Sequence, residues 1–275
     1  MIKDIVVNLS VGKPRDVAGD YAISVASAFA AHLSAVACAY EPVIGGVTFP
    51  GASVSAIDQF RAESQAEADR AKKAFDENAR RAGVSTDSFV VSATASGAAD
   101  KFGQCARDYD LSILAQAQPD YDIAESLSIE GALFGSGRPV LVVPYIQSTG
   151  LKLDRVIVCW DGSRNAARAI GDAMPLLRRA GAIDVVTVED RERRNELAAA
   201  NIATHLARHG LNVELKPIVS ADLGVADAIL SHAADTSADL IVMGGYGHTR
   251  LREFVLSGAT SGVLGTMTVP TLMAH

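Results

Sequence analysis

Short runs of β-branched and other apolar residues alternate with longer stretches in which apolar positions recur every three or four residues. The first pattern is typical of buried strands and the second of amphipathic helices. The predicted strands are residues 4–9, 35–40, 88–93, 111–115 and 139–144 in the first half, and residues 155–160, 183–189, 212–218, 240–243 and 270–273 in the second. A long helix is predicted over residues 57–82, with Phe60 and Phe75 on its apolar stripe. This alternation predicts βαβ units and parallel sheets covered by helices.

The same plan of five strands occurs twice along the chain. Three segments carry the repeat: residues 5–10 match 156–161, residues 110–114 match 239–243, and residues 138–142 match 269–273. An internal duplication is the simplest explanation. A chain of 275 residues is long enough for two compact domains. We expect the boundary in the polar segment 146–152, which predicts domains at residues 1–147 and 152–275.

Composition and charge exclude several classes of protein. With 49% hydrophobic and 21% charged residues, the chain is typical of a globular protein rather than a disordered or fibrous one. The net charge of -7 disfavours nucleic acid as a partner. The three cysteines are far apart and form no CxxC pair, so neither a zinc site nor a disulfide framework is predicted, and a cytoplasmic location is favoured. No stretch predicts a signal peptide or a membrane span.

Candidate chemistry follows two strands of the second half. Ligands of open parallel sheets bind at the carboxyl ends of the strands, where loops and helix starts converge. Asp161 and Gly162 follow the first strand of this half, and a glycine-containing loop from Gly244 to Gly247 follows the fourth. Glycines there let backbone N–H groups face an anion. Taken alone, Gly244-x-x-Gly247 is weak evidence, because tight turns between strands and helices also need glycine.

Asp161, Gly244-x-x-Gly247 and the later pair Ser257-Gly258 together resemble the ATP-binding branch of the universal stress protein family. The motif of that branch, G-x2-G-x9-G-(S/T), follows the fourth strand of a five-stranded α/β domain. The resemblance covers essentially the whole chain as two tandem copies. It implies two tandem five-stranded parallel-sheet Rossmann-like domains, of the adenine nucleotide alpha hydrolase-like type, related by a pseudo-two-fold. We expect residues 140–144 to pair with residues 270–274 across that axis.

The resemblance also implies which residues contact a nucleotide. They are Asp161, Val188, Met243, Gly244, Gly247, His248, Ser257, Gly258 and Ala259. One departure from the family is the order Ser257-Gly258, which puts a Cβ at the first position and moves the hydroxyl by one residue. Two alternatives stay open: Asp161 could cap the helix that starts near Ser163, and His248 could be an ordinary exposed loop residue rather than a phosphate contact or a base.

The first half departs much further from the motif. It has Ser10 at the acidic position, and Ala-Gln-Ala-Gln-Pro at residues 115–119 replaces the glycine loop. We therefore expect no ATP in this half. Two interpretations remain: a structural domain that buries an apolar face of the second half, or a domain with a mainly apolar ligand pocket covered by the loop of residues 41–50.

The sequence therefore predicts a cytoplasmic stress-response protein that carries ATP, with Mg²⁺ as an accompanying ion, in its second half. It would act by binding or signalling rather than by turnover, and we assign no catalytic residue and no direct metal ligand. The alternatives are a nucleotide-free protein-interaction module and a slow nucleotide hydrolase. Expected partners are an adenine nucleotide, a second copy of the chain in a homodimer and an unidentified protein, with neither nucleic acid nor membrane.

Overall fold

The computed structural model of the chain describes residues 1–43, 54–118, 122–189, 196–219, 224–246 and 258–275. It divides into two compact units. The N-terminal unit contains Ile2–Arg138 and Ser148–Gly150; the C-terminal unit contains Met1, Pro139–Gln147 and Leu151–His275. Both are α/β units, as the sequence predicts. None of the helices described is both long and apolar enough to cross a membrane.

The N-terminal unit has four parallel strands in the order β3-β2-β1-β4. Its strands are β1 (Asp4–Asn8), β2 (His32–Tyr40), β3 (Thr86–Ala93) and β4 (Leu111–Ala115). Its helices are α1 (Val17–Phe29), α2 (Val54–Ala82), α3 (Ala95–Cys105) and α4 (Ile123–Gly135), and a 3-10 turn at Ala106–Asp108 follows α3. The middle of β1 is fully buried, which explains its run of consecutive apolar residues.

The C-terminal unit has six strands in the order β5-β10-β9-β6-β7-β8. Its strands are β5 (Val140–Val143), β6 (Arg155–Cys159), β7 (Ala182–Glu189), β8 (Val213–Val219), β9 (Leu240–Gly244) and β10 (Thr271–Ala274). Its helices are α5 (Arg164–Leu177), α6 (Glu196–Arg208), α7 (Val225–Asp235) and α8 (Ala259–Thr266). All neighbouring strands from β10 to β8 are parallel.

Strand β5 runs antiparallel to β10 and belongs to the C-terminal unit. Val142 lies opposite Thr271, Leu141 opposite Leu272, and Val140 opposite Met273. All four residues of each strand are buried. The predicted pairing of these two strands is therefore confirmed, whereas the domain boundary at residues 147–152 and the pseudo-two-fold stay predictions.

An aspartate before the fourth strand of each half makes equivalent hydrogen bonds. Oδ2 of Asp110 accepts from the backbone N–H groups of Lys3 (2.7 Å) and Asp4 (3.2 Å). Oδ2 of Asp239 accepts from the backbone N–H of Arg155 at 3.1 Å. The backbone N–H of each aspartate also donates to the backbone oxygen of the first residue of the neighbouring strand, at 2.9 Å in both cases. Aspartates at matching positions of the two halves therefore make the same kinds of hydrogen bond, which supports an internal duplication.

Candidate functional site

The turn after β6 presents an acidic side chain at the carboxyl edge of the sheet. Asp161 is exposed, and its Oδ1 accepts from the backbone N–H of Ser163 at 2.9 Å. Gly162 takes a φ of +77°, a backbone conformation that favours glycine. The helix cap is Ser163, whose side chain accepts from the N–H of Ala166 at 3.1 Å. The alternative that Asp161 caps α5 is therefore wrong, because Asp161 shapes the turn and the next serine caps the helix.

Gly244, the last residue of β9, lies directly against the first turn of α5. A Cβ built at Gly244 would stand 2.7 Å from the backbone nitrogen of Ala166 and 3.0 Å from the Cβ of Asn165. Real side-chain atoms do not approach so closely, so only glycine fits between the strand and the helix. The first glycine of the motif therefore has a packing reason that is independent of any ligand.

Asn165 fixes the next residue of this loop. Its side chain is buried, and Nδ2 donates to the backbone oxygen of Gly245 at 2.7 Å. Nδ2 of Asn165 also lies 3.0 Å from Nδ1 of His275. The N–H of Gly245 donates to the backbone oxygen of Ala274 at 2.8 Å. Gly245 is therefore held from both sides by hydrogen bonds.

Tyr246 ties the loop after β9 to the start of α8. Its N–H donates to Oγ1 of Thr260 at 3.0 Å, and Thr260 is buried. Tyr246 adopts a φ of +48°, which is uncommon for a residue with a bulky side chain and is tolerated where surrounding contacts hold it. The hydrogen bond brings together the residues on either side of the segment 247–257, which lies outside the described residues.

Helix α8 begins with backbone N–H groups that make no hydrogen bond within the helix. Gly258 is its N-cap, in extended backbone with a φ of -179°, and has no side-chain cap. The first hydrogen bond inside the helix runs from the N–H of Gly262 to the oxygen of Gly258. The amides of Ala259, Thr260 and Ser261 therefore precede the hydrogen-bond ladder of the helix, at its positive end. Among the described residues, a Cβ at Gly258 would meet no atom within 4 Å, so they leave the space beside the helix start open.

The other predicted site residues fall into two groups. Val188 is half-buried on β7, opposite Ile218 of β8, and Met243 is buried on β9, directly before Gly244. Gly247, His248 and Ser257 lie outside the described residues. Asn165 and Thr260 were not predicted, although both hold the loop in place. An asparagine in the first turn of the helix after Asp161, and a threonine two residues after Gly258, are the signals in the sequence.

The groups beside Asp161 are poorly suited to nucleophilic chemistry. Burial, together with the nearby Asp161 carboxylate, raises the pKa of the Cys159 thiol to about 12. The thiol therefore stays protonated at neutral pH, in line with a packing role. In the part of the chain described, no cluster of three or more histidine, cysteine, aspartate or glutamate side chains is arranged to hold a metal ion.

The matching edge of the N-terminal unit is filled by an ion pair. Nζ of Lys13 contacts Oδ1 of the buried Asp122. Oδ2 of Asp122 accepts from the backbone N–H of Gln118 at 3.1 Å. Burial, with the nearby Asp122 charge, raises the pKa of Glu125. Acidic groups therefore occupy this edge, which supports the expectation that ATP does not bind here. Of the loop predicted to cover an apolar pocket, residues 44–50 lie outside the described residues.

Comparison with known proteins assigns the family. Residues 152–275 match the model of the universal stress protein family. The match assigns these residues, rather than the whole chain, to that family. Universal stress protein Slr1230 of Synechocystis sp. is 26% identical over 172 residues, which cover 60% of this chain and 58% of that protein. The aligned region therefore spans less than two thirds of that curated relative.

Solved structures show that the fold extends over both halves. A universal stress protein from Archaeoglobus fulgidus aligns with 98% of this chain and 97% of its own, with a TM-score of 0.70 at 17% identity. At this identity the likeness shows the fold alone. A universal stress protein solved in complex with cAMP aligns with 46% of this chain and 98% of its own, at 18% identity and a TM-score of 0.39.

Proposed function

We propose that the C-terminal unit binds ATP at the carboxyl edge of its sheet, through Asp161, Val188, Met243, Gly244, Gly247, His248, Ser257, Gly258 and Ala259. The protein would act by binding or signalling rather than by turnover. Asp161 would contact the ribose, Val188 and Met243 would border the adenine, and the glycine loop with the start of α8 would hold the phosphates. Mg²⁺ would arrive with the phosphates rather than bind a site made by the protein.

The observation that carries this proposal is the hydrogen bond between the N–H of Tyr246 and Oγ1 of Thr260. It brings the end of the described segment 224–246 beside the amides at the start of α8. Backbone N–H groups in such loops and at helix starts are a common anion-binding arrangement. The open space beside Gly258 leaves room for a phosphate group there.

The decisive test blocks that space without disturbing the fold. Gly258→Val adds a side chain whose Cβ meets no atom of the described residues within 4 Å, on extended backbone that valine adopts readily. We expect isothermal titration calorimetry with Mg²⁺ and ATP to give a stoichiometry of about one per chain for the wild type. The variant should bind about tenfold more weakly or worse, because a charged hydrogen-bonding group loses its partners.

Gly171→Val is the matched control, because Gly171 lies on α5 where a Cβ also meets nothing within 4 Å. It should bind ATP like the wild type. No binding by the wild type at millimolar ATP, and no nucleotide in native mass spectra of the purified protein, would overturn the proposal in favour of a nucleotide-free interaction module. Release of ADP that the Gly258→Val variant abolishes would instead indicate a slow hydrolase.

A further inference from the structure

The N-terminal unit contains a cavity between one face of its sheet and helix α3. Its volume is about 170 Å³. The floor consists of two rows of side chains that the strand register aligns: Val36 lies between Asn8 and Phe89, and Cys38 lies beside Val91. Helix α3 contributes Ala98, Lys101, Phe102 and Cys105. Because this cavity is built on β1, β2, β3 and α3, it is separate from the candidate nucleotide site of the C-terminal unit.

The walls of this cavity are mainly apolar and chemically unreactive. Burial raises the pKa of Cys38 to about 11, and burial also raises the pKa of Cys105. Both thiols are therefore protonated at neutral pH and act as soft apolar surface rather than as nucleophiles. With Phe89 and Phe102 they offer polarizable and aromatic contacts. These walls suit a ligand with an apolar body that binds reversibly.

Lys101 is the charged residue of the lining. Its Nζ donates to the backbone oxygen of Ser92 at 3.1 Å, which anchors the ammonium group at one position. Within the described residues no carboxylate lies at ion-pair distance from it. Lys101 is exposed, and its charge reaches Cys38: burial and the Glu41 carboxylate raise the pKa of that thiol, whereas Lys101 lowers it. A negatively charged ligand group would therefore find an available cation at the cavity.

The side chain of Phe89 offers apolar surface that a ligand in the cavity could cover. It lies on β3 and is 51% exposed, although it lines the cavity. An aromatic side chain that is half in water gains from being covered by an apolar molecule. The same contact would bring the ligand into van der Waals contact with the opposite wall on α3.

We propose that this cavity binds a small organic carboxylate whose apolar body is about the size of a benzene ring, with the carboxylate paired to Lys101. Apolar protein cavities of roughly 150 Å³ accept benzene, so the volume suits a body of this size. An uncharged apolar molecule would fit the walls but would leave the Lys101 ammonium without a counter-charge. A phosphate ester of nucleotide size would exceed the volume.

The test compares benzoate with toluene as ligands of the wild-type protein and its variants, by ligand-observed NMR titration. Lys101→Met keeps the apolar stem and removes the charge, whereas Lys101→Arg keeps the charge. We expect Lys101→Met to weaken benzoate binding about tenfold and to leave toluene binding unchanged. Lys101→Arg should bind benzoate within a few-fold of the wild type. Equal benzoate affinity in the wild type and Lys101→Met, or no benzoate binding by the wild type, would overturn the proposal.

A cavity-filling variant and a labelling experiment locate the site. Ala98→Leu should lose both ligands, and its unfolding temperature without ligand controls for folding. Benzoate should also shift the NMR signals of the backbone amides of Cys38 and Cys105 in isotope-labelled protein, while the amide of Cys159 in the C-terminal unit serves as the internal control. Unchanged signals of Cys38 and Cys105 at saturating benzoate would contradict binding in this cavity. ATP binding should be the same in all these variants, so the two proposals fail separately.

Discussion

Gly244→Ala should destabilise the protein in the absence of any nucleotide. The added Cβ would stand 2.7 Å from the nitrogen of Ala166 and 2.9 Å from the backbone carbon of Asn165. Non-bonded atoms of this kind prefer separations of about 3.5 Å or more, so β9 and the start of α5 must move apart by roughly 0.5 to 0.8 Å. Gly244 is not among the glycines with positive φ, so the penalty comes from packing and not from backbone strain.

The expected magnitude follows from two contributions. Overpacking of a well-packed contact typically costs about 1 to 3 kcal/mol. The same displacement stretches the hydrogen bond from Nδ2 of Asn165 to the oxygen of Gly245, now 2.7 Å long and worth about 0.5 to 1.5 kcal/mol. We therefore expect the free energy of unfolding to fall by about 2 to 4 kcal/mol and the thermal midpoint to fall by roughly 6 to 12 °C.

Differential scanning calorimetry of the nucleotide-free protein measures this effect, with Gly258→Ser as the matched control. Serine at the N-cap of α8 has open space and caps a helix at least as well as glycine does, so the control should stay within about 0.5 kcal/mol of the wild type. Equal stability of the two variants would refute the steric explanation of Gly244 and return that glycine to a role in ligand binding.

Three further predictions concern carboxylates. Asp161→Asn keeps the acceptor for the N–H of Ser163 but removes the charge, so calorimetry should show ATP binding about tenfold weaker with an unchanged melting temperature. Arg155→Met removes the Nη1 group that donates to both carboxylate oxygens of Asp184, which is 1% exposed. Urea unfolding should therefore show a loss of about 3 to 5 kcal/mol that Asp184→Asn in the same chain partly restores. Burial raises the pKa of Asp16 above its unfolded value of 3.8, so the ionised form costs stability as pH rises from that value through the folded pKa. The stability of Asp16→Asn relative to the wild type should therefore increase over this pH range. A stability difference that does not depend on pH would contradict the buried-charge explanation.

The strands could be predicted because parallel strands that are buried on both faces consist of continuous runs of apolar residues. Residues 111–115 were predicted at the bounds that β4 has, and the other nine strands were predicted within three residues at each end. The largest difference is at the start of β2, which was predicted at residue 35. His32, which opens β2, is polar, and nothing in its immediate sequence marks the start of a strand.

Helix α2 illustrates where periodicity stops being informative. It was predicted over residues 57–82 and is observed at Val54–Ala82. Phe75 is 3% exposed whereas Phe60, on the same predicted stripe, is 46% exposed. A helix of 29 residues is about 43 Å long, but β2, with nine residues, spans only about 30 Å. The helix therefore extends past the sheet that covers Phe75. The hydrophobic pattern of the helix does not reveal how long its partner strand is.

The motif of the candidate site could be recognised in the sequence, but the side chains that hold its loop in place could not. The spacing from Gly244 to Gly258 was recognisable in the sequence, as was the carboxylate of Asp161. The contacts of Asn165 and Thr260 were not, because both depend on how far α5 and α8 start from the end of β9. Those distances arise from the packing of three separate elements, which no local sequence pattern encodes.

The two copies of the repeat differ at this edge for a physical reason beyond the missing glycines. Seven residues separate the end of β1 from the helix cap Asp16, whereas three separate the end of β6 from the cap Ser163. The longer loop contains Lys13, whose ammonium group forms an ion pair with the buried Asp122. A phosphate placed there would compete with this ion pair and would face the carboxylate of Glu125, so like charges oppose it. Restoring glycines at residues 115–119 would therefore not by itself create a nucleotide site, because the carboxylates that neutralise Lys13 would still be present. We therefore expect an anionic ligand of the N-terminal unit to bind away from this edge, and the face between α3 and the sheet, which has the Lys101 cation, meets that requirement.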